Sequence, residues 1–179
     1  MRVLLDACVL FPTVMREILL GVAATGAFTP LWSDRILEEW ARAVASKLPD
    51  QAGIARAEIA LLRAKWPEAE VAERPELEDG IYLPDPDDVH VLASAIAGQA
   101  QILLTLNLSD FPTRTLTAHG VIRRDPDGFL REIWQGSPET VARVCEAVRL
   151  KAESLSGQSQ EMRALLKKAR LPRLGKALS

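Results

Sequence analysis

The sequence predicts an α/β fold, a three-layer α/β/α domain in which helices cover a parallel sheet. Short apolar runs that suit buried strands alternate with segments of helical period over most of the chain. Such alternation favours a parallel sheet, because the crossover between two parallel strands is usually a helix. Only helical patterns follow, so we predict one domain over residues 1–135 and a helical C-terminal extension with a basic tail over residues 136–179.

Composition narrows the functional classes. A chain of 179 residues with 48% hydrophobic and 26% charged side chains is typical of a soluble globular protein. Two cysteines and two histidines are too few for a disulfide framework or a Cys/His metal cluster, so any metal must be held by oxygen ligands. The N-terminal apolar run is too short for a membrane span and lacks the features of a signal peptide, which predicts a cytoplasmic protein without membrane contacts.

The first strand is predicted at Arg2–Leu5, an apolar run without polar alternation that ends at Asp6. A helix over residues 12–24, closed by Gly26, and a strand over residues 28–32 follow. Ser33 is a natural N-cap for the next helix. The predicted core stripe of that helix consists of Leu37, Trp40, Ala41, Val44 and Leu48.

A further helix is predicted over residues 52–65, and the acidic stretch after it is read as a loop. Asp85 then caps a helix with Pro86 in its first position, which runs to residue 97. A buried strand over residues 102–106 and a short strand at 121–122 complete the predicted sheet. Ser137 and Pro138 begin a helix with the apolar stripe Val141, Val144, Cys145 and Val148, in which Cys145 is a core residue.

Acidic side chains recur where parallel strands end, which is where ligands bind in such sheets. Asp6 follows the first strand, and Asp110 follows the strand that ends near Thr105 and Asn107, two side chains that would orient ligands or water. In the segment Asp85-Pro-Asp-Asp88, an ideal helical projection aims Asp88 at the sheet edge, while Asp87 and His90 point away. Capping explains Asp85 and Asp87, but not the inward direction of Asp88.

Four segments in this order resemble the PIN-domain nucleases, in particular the bacterial toxins of toxin–antitoxin pairs. The segments are LLDACVL, SDRILEEW, DPDDVHVLASAIA and TLNLSDFP, and the resemblance covers residues 2–124. It implies a metal-dependent endoribonuclease in which Asp6, Glu39, Asp88 and Asp110 bind Mg²⁺ or Mn²⁺. Supporting residues around these acids are Thr105, Asn107, Ser33 and Asp85. The implied partners are an RNA substrate and a cognate antitoxin protein, and a homodimer is left open.

Two positions depart from the simplest form of this interpretation. Cys8 stands where many relatives carry a small polar residue, and its simplest role is that of a small buried hydrophobe. On an ideal helical wheel Glu39 lies roughly opposite the stripe formed by Leu37, Ala41 and Val44, so Glu38 is an alternative ligand and Glu39 rests on the resemblance.

Two other classes of protein share features with this sequence. Phosphatases that form an aspartyl phosphate carry a second acid two residues after the first, and that position is Cys8 here. The other is a catalytically inactive PIN-like module that binds RNA or protein. The seven Lys and Arg residues from Lys151 onward, against only Glu153 and Glu161, suit either RNA phosphates or an acidic partner, although a merely solvated surface explains them equally well.

Overall fold

The computed structural model describes all residues from 1 to 179 and contains five strands and ten α-helices. The strands are β1 (Arg2–Leu5), β2 (Thr29–Ser33), β3 (Glu70–Val71), β4 (Ile102–Leu104) and β5 (Ile122–Arg124). The helices are α1 (Ala7–Leu10), α2 (Thr13–Ala24), α3 (Asp34–Lys47), α4 (Ala52–Lys65), α5 (Val89–Ala97), α6 (Thr113–Ala118), α7 (Pro126–Gly136), α8 (Pro138–Ser156), α9 (Met162–Lys168) and α10 (Pro172–Ala177). None of the helices combines the length and the apolar character that a membrane crossing requires.

The five strands form one parallel sheet in the order β3-β2-β1-β4-β5, which confirms the predicted α/β class. The central strand β1 carries Val3, Leu4 and Leu5, all without exposed surface, as its continuous apolar run predicted. In register, Leu4 pairs with Leu31 of β2 and with Leu103 of β4. Because β1 and β4 are parallel neighbours, the residues that follow them emerge at the same edge of the sheet.

The chain forms two compact units. Unit 1 consists of Met1–Phe11 and Thr29–Arg124 and contains the sheet, with α5 packed on β1, β2 and β4. Unit 2 consists of Pro12–Phe28 and Asp125–Ser179, so that α2 groups with the C-terminal helices. These limits differ from the predicted domains 1–135 and 136–179, because the packing of α2 against α8 joins segments far apart in sequence.

Unit 2 is a folded helical bundle, including the residues predicted as a basic tail. Gly21 of α2 lies so close to α8 that a Cβ placed on it would be 2.6 Å from Val144 Cγ1. Cys145 is buried in this core, as predicted. The buried Asp127 carboxylate accepts hydrogen bonds from the backbone N–H groups of Arg173 and Leu174, both at 2.9 Å, and thereby fastens the start of α10 to α7.

Three details of the predicted elements are wrong. Leu48 is not part of the core stripe, since α3 ends at Lys47 and Leu48 is 42% exposed. The acidic segment is not wholly a loop, because it contains β3 and a 3-10 helix over Pro75–Gly80. The strand predicted over residues 102–106 ends at Leu104, which leaves Thr105 just beyond the sheet edge.

Candidate metal centre

Asp6 is held at the carboxyl end of the central strand by side chains from two segments. Its Oδ2 atom accepts hydrogen bonds from Thr105 Oγ1 at 2.7 Å and from Cys8 Sγ at 3.2 Å. The backbone N–H of Asn107 donates to Thr105 Oγ1 at 3.0 Å, so the Thr105 hydroxyl proton is directed to Asp6. Burial raises the pKa of Asp6, and the hydrogen bonds from Thr105 and Cys8 oppose this increase.

Cys8 has a polar role here, so its interpretation as a plain hydrophobe is wrong. Besides donating to Asp6, the sulfur accepts a hydrogen bond from the backbone N–H of Leu106 at 3.2 Å. Burial, with a further contribution from the Asp6 charge, raises the pKa of the Cys8 thiol to about 12. Cys8 therefore stays protonated near neutral pH and can donate to the Asp6 carboxylate as a hydroxyl would.

Asp88 ends the 3-10 turn Pro86–Asp88, directly before α5. Asp85 Oδ1 accepts a hydrogen bond from the backbone N–H of Asp87 at 2.9 Å, which confirms Asp85 as the cap of this turn. Burial, together with the charges of four neighbouring carboxylates, raises the pKa of Asp88 to about 6; these carboxylates belong to Asp6, Asp85, Asp110 and Glu39. Acids from separate segments of the chain thus raise the pKa of the partly buried Asp88 carboxyl. The neighbouring Asp87, in contrast, is exposed.

The two glutamates of α3 have different surroundings. Glu38 forms a bidentate pair with Arg56 at 2.5 and 2.8 Å and lies 3.4 Å from Arg42. The hydrogen bonds from Arg56 are the main reason that the pKa of Glu38 falls to about 2. Glu39 instead lies near the other acids, since its charge contributes to the raised pKa of both Asp6 and Asp88. Of the two, Glu39 is therefore the one on the side of the acidic cluster.

His90 does not point away, and the expectation that it would is wrong. The side chain is 3% exposed, and Nε2 lies 2.5 Å from Glu39 Oε1. The projection failed because α5 is buried around most of its circumference, with every residue from His90 to Ala95 buried, so the side of the helix opposite Leu92 also faces protein. The acid-rich sequence around His90 gave no separate signal for its contact.

The remaining predicted residues occupy the same end of the unit. Asp110 closes the 3-10 turn Leu108–Asp110 after β4, is partly buried, and contributes to the raised pKa of Asp88. Asn107 acts through its backbone N–H rather than through an observed side-chain contact. Ser33 Oγ accepts a hydrogen bond from the backbone N–H of Ile36 at 3.2 Å, which confirms the predicted N-cap of the helix that carries Glu39.

The donor set suits a hard divalent cation, although the side chains are not arranged as a finished coordination shell. No three Asp, Glu, His or Cys side chains lie around one point at which a single ion could contact them all. Burial is the main reason that the pKa values of Asp6 and Asp88 are raised, and neighbouring carboxylates add to it by repulsion, Glu39 at Asp6 and four acids at Asp88. A divalent cation between oxygen ligands would compensate this repulsion, so the chemistry of these residues fits Mg²⁺ or Mn²⁺.

Comparison with known proteins gives one match. The family profile described as PIN_3, PIN domain, matches residues 2–109, which is more than half of the chain and includes the segments that carry Asp6, Glu39 and Asp88. No curated protein and no solved structure gives a significant match. With its parallel five-stranded sheet and the acids at the ends of its strands, the chain belongs to the PIN-domain family.

Proposed function

We propose that this chain is a metal-dependent endoribonuclease that hydrolyses RNA phosphodiester bonds. The observation that supports this most strongly is the placement of Asp6 and Asp110 after the neighbouring parallel strands β1 and β4, beside Asp88, whose pKa is raised to about 6 by burial and by the charges of these acids and others. Strongly shifted acids that perturb one another are typical of functional sites. The PIN domain is a nuclease-type fold whose members generally use divalent metals, which supports the same conclusion.

Asp6, Glu39, Asp88 and Asp110 are the residues that would hold Mg²⁺ or Mn²⁺ in this proposal. When bound, such an ion lowers the pKa of water and compensates the negative charge that develops at a phosphate during in-line attack. The chain contributes the orientation of the ligands. Thr105 and Cys8 fix one oxygen of Asp6 through two hydrogen bonds, and Asp88, with a pKa of about 6, is half ionised near pH 6 and becomes an anion as the pH rises above it.

The proposal extends to the biological context through the resemblance to toxins of toxin–antitoxin pairs. In that context the chain acts on RNA in the cytoplasm and is neutralised by a cognate antitoxin protein, with a homodimer still open. A catalytically inactive PIN-like module that binds RNA or protein is the alternative. Binding without cleavage, in the presence of Mn²⁺, would favour that alternative.

Glu39→Gln is the first test of the ligand set, with Glu38→Gln as its neighbouring control. Removing the charge of a metal ligand should lower Mn²⁺-dependent cleavage of single-stranded RNA by about 100-fold. Glu38→Gln should leave cleavage within about twofold, because its partners are the exposed Arg56 and Arg42 and such surface pairs contribute little. Initial cleavage rates show which of the two glutamates is the ligand. A larger loss of cleavage rate in Glu38→Gln than in Glu39→Gln would make Glu38 the ligand instead.

The basic residues of unit 2 are proposed to contact RNA phosphates. Arg163, Lys167, Lys168, Arg170 and Lys176 are exposed, and no acid follows Glu161 in the sequence. They lie on folded elements anchored by the buried Leu166 and Leu171, so they present charge from a defined surface. Arg173 is not available in the same way, because it is paired with Asp125 and Asp127.

Lys167→Gln combined with Lys168→Gln should weaken RNA binding and reduce its salt dependence. Each lost phosphate contact lowers the slope of log K against log salt by about 0.7 for a single strand, so the pair should lower it by about 1.4. The control changes two other exposed cations of unit 2, Arg131→Gln with Arg143→Gln. Binding is measured without metal over a salt series, and an unchanged slope in the Lys167/Lys168 variant would reject this surface.

A further inference from the structure

His90 is a buried side chain that the proposed ligand set leaves unused. It is the second residue of α5, two residues after Asp88, and only 3% of it is exposed. Neither ring nitrogen makes a hydrogen bond, although Glu39 Oε1 lies 2.5 Å from Nε2. Buried polar groups nearly always have a partner, because losing water without one is costly. The position of His90 therefore requires an explanation.

Glu39 is the neighbour whose carboxylate the His90 ring could hold in place. Its long side chain stands on the surface of α3 and is 36% exposed, and apart from His90 its neighbour is Arg35, whose Nε lies 4.0 Å from Oε1. Asp6, in contrast, is held by two hydrogen bonds. An unrestrained glutamate loses rotamer entropy when it is fixed, so it binds a metal less well than one that is already held. His90 is the buried group in contact with the Glu39 carboxylate.

We propose that His90 is a positioning residue that holds the Glu39 carboxylate toward Asp6 and Asp88. In this role Nε2 carries the proton and donates it to Glu39 Oε1, the carboxylate oxygen 2.5 Å away. The role needs only a donor at Nε2 and involves no change in the charge of the ring. Because His90 and Asp88 are two residues apart, the contact ties the acid of α3 to the segment that carries Asp88. This inference rests on the proposed function, since it concerns the same metal centre.

The test is a double-mutant cycle read out as Mn²⁺ affinity by calorimetry. His90→Ala should lower the affinity of the otherwise unchanged chain by about 10- to 100-fold, the usual effect of losing a group that orients a metal ligand. In a Glu39→Gln background the same substitution should change the affinity by less than about threefold, since the group it positions is already altered. The matched control is His119→Ala, which changes the other histidine of the chain, an exposed one.

Two conservative variants keep the test independent of any folding defect in His90→Ala. In His90→Gln the amide nitrogen reaches about as far as Nε2 of histidine, so this variant should retain most of the Mn²⁺ affinity. In His90→Asn the amide nitrogen reaches only as far as Nδ1, so this variant should lose affinity as His90→Ala does. The positioning role would be overturned if His90→Ala lowered the Mn²⁺ affinity equally in the wild-type and Glu39→Gln backgrounds. It would also be overturned if His90→Gln and His90→Asn bound Mn²⁺ with equal affinity. If Asp6→Asn loses Mn²⁺ while His90 variants keep it, only this inference fails. A wild-type chain without Mn²⁺ affinity would overturn the proposed function as well.

Discussion

Asp6→Asn should reduce Mn²⁺-dependent RNA cleavage by at least about 100-fold while the protein remains folded. Asparagine has the same size, and its carbonyl oxygen can still accept the hydrogen bonds from Thr105 and Cys8. What is lost is one negative charge at the proposed metal centre. Asp6 precedes α1 but makes no side-chain capping hydrogen bond to it, so a structural role as a helix cap does not account for this residue.

The matched control for Asp6→Asn is Asp87→Asn, which removes the same charge from an exposed position in the neighbouring turn. Its effect on cleavage should be much weaker, because Asp87 is not among the main influences on the pKa of Asp88. Initial rates on a labelled single-stranded RNA, with melting temperatures recorded in a chelator, separate lost catalysis from lost folding. Wild-type cleavage by the Asp6→Asn protein would end the proposed mechanism.

Asp88→Asn should make the metal-free protein more stable at pH 7 and leave its stability unchanged near pH 4. The folded pKa of Asp88 is about 6, against an ordinary value of 3.8. Folding thus favours the protonated carboxyl, and the stability that this form contributes is full below pH 3.8 and is lost as the pH rises through 6. Asparagine stays neutral at every pH. For a fully buried carboxyl, this difference in pKa would correspond to about 3 kcal/mol in the free energy of unfolding. Because Asp88 is partly exposed, we expect a gain in stability of about 1 to 2 kcal/mol for the variant at pH 7.

Denaturant unfolding in a chelator at pH 4, 5, 6 and 7 measures this change, with Asp87→Asn again as the control. The same titration predicts that the Mn²⁺ affinity of the wild-type chain rises between pH 5 and pH 7, as Asp88 loses its proton. A variant that is less stable than wild type at pH 7, or equally more stable at pH 4 and pH 7, would contradict the assignment of this raised pKa.

Acids at the ends of strands could be found from the sequence because local patterns alone identify them. The apolar run before Asp6 predicted a central strand, and β1 is central and buried. The parallel order of β1 and β4 then brings Thr105 to Asp6, a contact between residues 99 positions apart. The helical projection gave a wrong direction for His90, because it assumed that one face of α5 is exposed, whereas every residue from His90 to Ala95 is buried.

Other features depend on contacts that no local pattern contains. The sequence left Glu38 and Glu39 as alternatives, and the choice between them depends on Arg56, which lies on a different helix and engages Glu38. Cys8 has a polar role because the Leu106 backbone and the Asp6 carboxylate both lie within reach of its sulfur. Likewise, α2 could not be assigned to the C-terminal helices from its own apolar stripe, since its partner α8 begins more than a hundred residues later.

Thermal unfolding with increasing Mn²⁺ is the measurement that addresses the metal centre itself. At a free Mn²⁺ concentration of about 100 times the dissociation constant, the free energy of unfolding of the wild-type protein should increase by about 2.7 kcal/mol, and its melting temperature should rise. Asp6→Asn should gain much less at the same concentration, because it lacks one of the four carboxylates. A wild-type melting temperature that does not move up to millimolar Mn²⁺, at pH 7 where Asp88 is ionised, would contradict a divalent-metal centre at these acids.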